Sequence, residues 1–137
     1  MKKYLDISFI YAIIAMAGGV FYREFTKWNG YTGVTSLGKV HAHLFMLGMM
    51  VFLLTALFAD RLDLAGQKSF RAFMCVYNIG VPLTAVMLAA RGIVQVMGTQ
   101  LSAGADAAIS GISGIGHILT GAGLILLIIS LKKAAKG

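Results

Sequence analysis

Four apolar stretches, each long enough to cross a bilayer, dominate this 137-residue sequence and leave few folds open to it. A hydrocarbon layer about 30 Å thick is spanned by roughly 20 helical residues rising 1.5 Å each. Residues 4–22, 37–59, 70–97 and 107–131 meet that length. Inside lipid the backbone must satisfy its own hydrogen bonds, so apolar runs of this length read as helices. The connections are short. Residues 28–33 hold turn formers and interfacial aromatics (Trp28, Asn29, Gly30, Tyr31), residues 60–68 carry charge and Gly66, and residues 98–106 are rich in Gly, Ser and Thr. Short connections predict an all-α, up-down antiparallel, four-helix transmembrane bundle forming one domain over residues 1–137. Pro82 falls inside the third span, where it should kink the helix.

Composition agrees, with 58% hydrophobic and 12% charged residues and a mean hydropathy of +0.83. The formal charge of +7 does not point to nucleic acid, because the basic residues sit at the ends of the apolar runs, at the level of lipid headgroups. Lys2, Lys3, Arg61, Lys68, Arg71, Lys132, Lys133 and Lys136 fall on one side, against Arg23, Lys27 and Lys39 on the other. That asymmetry predicts a multi-pass plasma-membrane protein with both termini cytoplasmic. The first run is too long for a signal peptide and lacks a small-residue cleavage site, so it is expected to remain as a span. The single Cys75 makes no internal disulfide, and no CxxCH motif is present for covalent haem attachment.

Ionisable side chains inside a bilayer are costly and mark functional sites that face the bundle interior. Here they are His41 and His43 on the second span, Arg91 on the third and His117 on the fourth, all in the extracytoplasmic half. Residues two apart on a helix point roughly 200° apart, so His41 and His43 cannot both face one ligand. His41 shares its face with Phe45, Gly48, Phe52 and Thr55, and Gly48 offers room for a flat group. His43 shares its face with Met46, Met50, Leu54 and Leu57, a face that suits packing or a subunit contact. His117 is flanked at neighbouring turns by Gly114 and Gly121. Two imidazoles on different helices, each beside missing side-chain volume, suit the axial positions of a non-covalent haem b. Arg91, with Arg23 and Lys39, would meet the propionates, and Trp28 and Tyr31 would cover the mouth.

Plainer readings stand beside these. Histidines near a helix start can snorkel to the interface, and Arg91 can be tied to backbone carbonyls freed near Pro82 or in a neighbouring span. Asn78 and Gln95 read as interhelical glue, and the small residues Ala15, Gly18, Gly19, Gly111, Gly114 and Gly121 as close-packing positions. His43 with Met46, Met49 and Met50 also has the donor chemistry for Cu(I).

The run Val40-His41-Ala42-His43-Leu44 through Leu47-Gly48 resembles the HxHL…LG signature of small bacterial membrane proteins distantly similar to subunit I of haem-copper oxidases. The stretch from Tyr11 to Glu24 and the chain length are similar to an uncharacterised four-helix family among them. The resemblance implies that His41 matches an axial ligand of a low-spin haem and that His117 corresponds, less directly, to the opposing one. On depth, His43 lies about 3 Å nearer the level of His117, which leaves it as the alternative ligand. No histidine cluster for a binuclear copper centre and no intramembrane carboxylate is present, so oxygen reduction and proton pumping are not implied.

The expectation is therefore an integral-membrane b-type haem protein in electron transfer or in haem homeostasis or sensing, a homodimer or larger assembly, with a redox partner the sequence does not name. A small transporter or channel, a copper-binding assembly protein and a cofactor-free structural subunit are the rivals.

Overall fold

The structure is a computed structural model in which residues 1–135 are described, so Lys136 of the basic count lies outside the described residues. It is all-helical, with four helices long and apolar enough to span a membrane. Helix α1 is Lys2–Trp28. The second span is α2 (Leu37–His43), a π-helical segment (Leu44–Met50) and α3 (Val51–Arg61) joined without a break. Helices α4 (Lys68–Met97) and α5 (Ala103–Ala134) complete the chain.

Each helix runs beyond the hydropathy boundary that sequence suggests, because the charged and polar residues at its ends continue the backbone ladder past the apolar run. The fourth span begins at Ala103 rather than near 107. The Ser102 hydroxyl accepts from the Ala105 amide at 3.2 Å, and Asp106 places a negative charge in the first turn, favourable at the positive end of the helix dipole. Helix α4 stops at Gly98, whose left-handed φ of 63° lets the chain turn while its cap amides reach the carbonyls of Gln95 and Val94. Pro82 lies inside α4, which continues on both sides of it.

The helices pack in chain order. Helix α1 lies along the whole second span, α2 also leans on α4, and α5 packs almost wholly on α4. The α4–α5 seam is close because small residues meet across it. A Cβ on Gly80 would stand 2.6 Å from the Thr120 amide nitrogen, and one on Gly116 would stand 3.0 Å from that of Thr84. Gly111, Gly114 and Gly121, expected as packing positions, instead have open space where a side chain would go. Their neighbours Gly116 and Gly123 make the seam.

An aromatic layer fills the half of the bundle nearer the chain termini, between α1, α3 and α4. Tyr11 stacks on Phe52 with ring centroids 5.8 Å apart, and Phe52 lies 6.1 Å from Phe73 and 5.9 Å from Tyr77. Phe52, Phe73 and Tyr77 are fully buried. Such rings hold the helices at a fixed spacing, and polar contacts tie the end away from the chain termini. At that end Thr35 donates to the Gly92 carbonyl at 3.1 Å and the Ser36 amide to the Gln95 side chain at 2.8 Å, tying the first loop to α4.

Candidate functional site

The second span presents its two histidines to different neighbours. His41 faces α1: its ring lies 3.6 Å from where a Cβ on Gly19 would be and is nearly parallel to the Tyr22 ring, with centroids 6.4 Å apart. Its Nδ1 is buried and has no hydrogen-bond partner. The rest of that face also meets α1 or the aromatic core, and the volume missing at Gly48 is filled by the Tyr11 ring. The expectation that Gly48 leaves room for a flat group is thereby corrected, because an aromatic side chain from the neighbouring helix occupies the space.

His43 faces the other way, across a groove toward α5. Its ring and that of His117 have centroids 6.2 Å apart, with planes at 84°. The structure thus brings His43, rather than His41, beside His117. His43 Nδ1 lies 2.9 Å from the Lys39 carbonyl and His117 Nδ1 lies 2.8 Å from the Ser113 carbonyl, each one turn back on its own helix. A carbonyl oxygen only accepts, so in both rings Nδ1 carries the proton and Nε2 of the neutral imidazole keeps its lone pair. This is the arrangement in which an imidazole is oriented by its backbone contact and ligates through its other nitrogen.

Two features shape the groove. On one wall a cavity of about 300 Å³ is lined by Ala42, His43, Met46 and Leu47. On the other, Gly114 and Gly121, one turn to either side of His117, leave open space. Among the described residues no group of three or more His, Cys, Asp or Glu side chains gathers as a metal site, so a metal held here takes two imidazoles from that set and no more.

Arg91 lies towards the end of the α4–α5 pair away from the chain termini. Its guanidinium pairs with the Asp106 carboxylate and donates to the Ser110 hydroxyl at 2.7 Å and the Asp106 carbonyl at 3.3 Å. Asp106 is the partner that sequence reasoning missed. The signal for it was Ser102 followed four residues later by an acid, which marks the start of α5. Arg23 stays exposed on α1, 3.7 Å from Glu24. Trp28 is likewise exposed, and the Tyr31 hydroxyl donates to the Val34 carbonyl at 3.1 Å within its own loop.

No curated protein and no solved structure matches this chain. A family model described as "Protein of unknown function (DUF2871)" matches residues 1–134, and the chain belongs to that family.

Proposed function

We propose that this chain is an integral-membrane b-type haem protein whose axial ligands are His43 and His117. The observation that carries the reading is the pairing of those two rings. An imidazole nitrogen bonds a metal at about 2.0 Å and lies about 1.1 Å from its ring centre, so two imidazoles on opposite sides of one metal stand about 6 Å apart, centre to centre. The observed 6.2 Å fits that separation. Both rings are fixed by backbone carbonyls so that Nε2 is free, and the open positions at Gly114 and Gly121 suit a flat macrocycle beside His117.

Haem would need only two ligands from the protein, and His43 and His117 would supply them through Nε2. Haem iron, when bound, supplies one-electron redox chemistry or a centre that senses redox state. The chain's own part would be to hold each imidazole in one tautomer through its backbone carbonyl. Ser110 lies seven residues before His117, about 10 Å along the same face of α5, and Arg91 on Ser110 has the charge and height to meet propionates there. The resemblance to small haem-copper-oxidase-like proteins supports haem as the group and favours His41, whereas the ring pairing favours His43. The basic asymmetry supports both termini in the cytoplasm, and the exposed His117 face supports a homodimer.

Met46 lines the same cavity as His43, which favours a second reading: Cu(I) held by two imidazoles and a thioether. Pyridine haemochrome and metal analysis of protein expressed with haem and copper supplied separates the two. One haem per chain and no copper is expected; copper at one per chain with no haem selects the second reading.

A further inference from the structure

We propose that Arg61 of α3 and Lys133 of α5, which face one cavity at the cytoplasmic-side ends of the spans, hold the phosphate of an anionic phospholipid. The cavity is about 590 Å³ and is lined also by Leu62, Asp63, Gly66, Gln67 and Ala134. It lies where α3 ends, α4 begins and α5 ends, at the level of lipid phosphates. The site is separate from the histidine groove and does not depend on what that groove binds.

Three features attract an anion there. Two cations, Arg61 from α3 and Lys133 from α5, line the one cavity, where a shared anion would relieve their mutual repulsion. Arg61 has only Asp60 near it, at 3.6 Å with both side chains well exposed, and Lys133 has no ion pair among the described residues. The cavity also takes in Gln67, the residue that opens the 30-residue α4, whose first turn carries no acidic residue and no side-chain cap. That helix end therefore keeps its positive partial charge. The one acid on the cavity wall, Asp63, is partly engaged by its own loop, since its Oδ1 accepts from the Gly66 amide at 3.3 Å.

A lipid is favoured over free phosphate by what lies one turn deeper. Leu57 stands four residues before Arg61 and Ile129 four residues before Lys133, each on the same helix face as its cation, and both are exposed. Each cation thus sits about 6 Å above an unpartnered apolar side chain, which is the head-over-tail register of a phospholipid at the bilayer boundary. Phosphatidylcholine fits less well, because its trimethylammonium would stand beside two cations.

The test is native mass spectrometry of the delipidated full chain in mild detergent, titrated with dioleoylphosphatidylglycerol or dioleoylphosphatidylcholine. Phosphatidylglycerol should bind at one per chain and about tenfold more tightly than phosphatidylcholine. R61Q/K133Q should bring the two lipids within about twofold, each single variant should fall between, and K2Q/R71Q, which removes equal charge at the same end, should keep the preference. Equal binding of both lipids by the wild type, or equal loss in the two double variants, overturns the site. Saturation by millimolar inorganic phosphate that displaces phosphatidylglycerol overturns the lipid as its source.

Discussion

Tyr77 donates its hydroxyl hydrogen to the carbonyl oxygen of Leu47, 2.7 Å away, inside the π-helical segment of the second span. Ser8 does the same for the Met49 carbonyl at 2.8 Å. A π-helical segment bonds i to i+5 and is rare without outside support, and here hydroxyls from α4 and α1 supply that support immediately after His43. Tyr77→Phe keeps the ring and removes one bond, so the chain should lose about 1 kcal/mol of stability. Thermal unfolding in detergent checks this. An unchanged melting temperature for both Tyr77→Phe and Ser8→Ala contradicts the supporting role.

Gly48 lies beneath Tyr11, and a Cβ there would come within 2.9 Å of the Tyr11 Cβ and nearer still to its ring. Because the Tyr11 Cβ is fixed to the α1 backbone, the helix must shift to admit a methyl group. Gly48→Ala is expected to destabilise by roughly 1–3 kcal/mol, and Tyr11→Ala/Gly48→Ala by less than the sum of the single changes. A double-mutant cycle on thermal stability checks the coupling.

The glycines of α5 divide into two sets that the same measurement separates. Gly116 abuts the Thr84 backbone, so Gly116→Ala should lower stability by about 1–3 kcal/mol. Gly114 and Gly121 face open space, so their alanine variants should melt like the wild type. Gly114→Leu should fold as well, yet bind less haem, because its side chain enters the groove beside His117. Full haem loading of Gly114→Leu would show that the groove is not the binding site.

Much of this was legible in the chain and some was not, for physical reasons. The spans are readable because nothing but a helix satisfies about 20 consecutive apolar residues in lipid. The division of the second span into a His41 face and a His43 face is also readable, since it follows from helical rotation alone. Which neighbour each face meets is not. Gly48 as empty volume and Gly48 as a seat for Tyr11 look alike in sequence, and the choice is made by α1. Gly114 with Gly121 and Gly116 with Gly123 share one spacing, so spacing cannot tell seam from groove. Leu44–Met50 contains ordinary helix formers, and the hydroxyls that support its π-helical bonding come from residues 41 and 30 positions away from the carbonyls they bond.

Arg91 is mostly buried and holds Asp106 and Ser110, joining the last turns of α4 to the first turns of α5. Arg91→Gln should lower stability by about 1 kcal/mol, and Asp106→Asn by less, because the guanidinium keeps its bonds to Ser110 and the residue-106 carbonyl in the second variant and loses them in the first. If Arg91 also meets propionates, Arg91→Gln should release haem more readily than Asp106→Asn at matched stability. Haem transfer to apomyoglobin measures that release. Equal rates in the two variants would leave Arg91 a structural tie only.

The pairing of His43 with His117 is tested most directly by the visible spectrum of purified protein expressed with haem supplied. The wild type and His41→Ala should each show a low-spin Soret band that sharpens and shifts on reduction, at one haem per chain, and His43→Ala and His117→Ala should each lose it. A colourless wild type contradicts the haem reading outright, and a spectrum that survives His43→Ala but not His41→Ala contradicts the ligand pair.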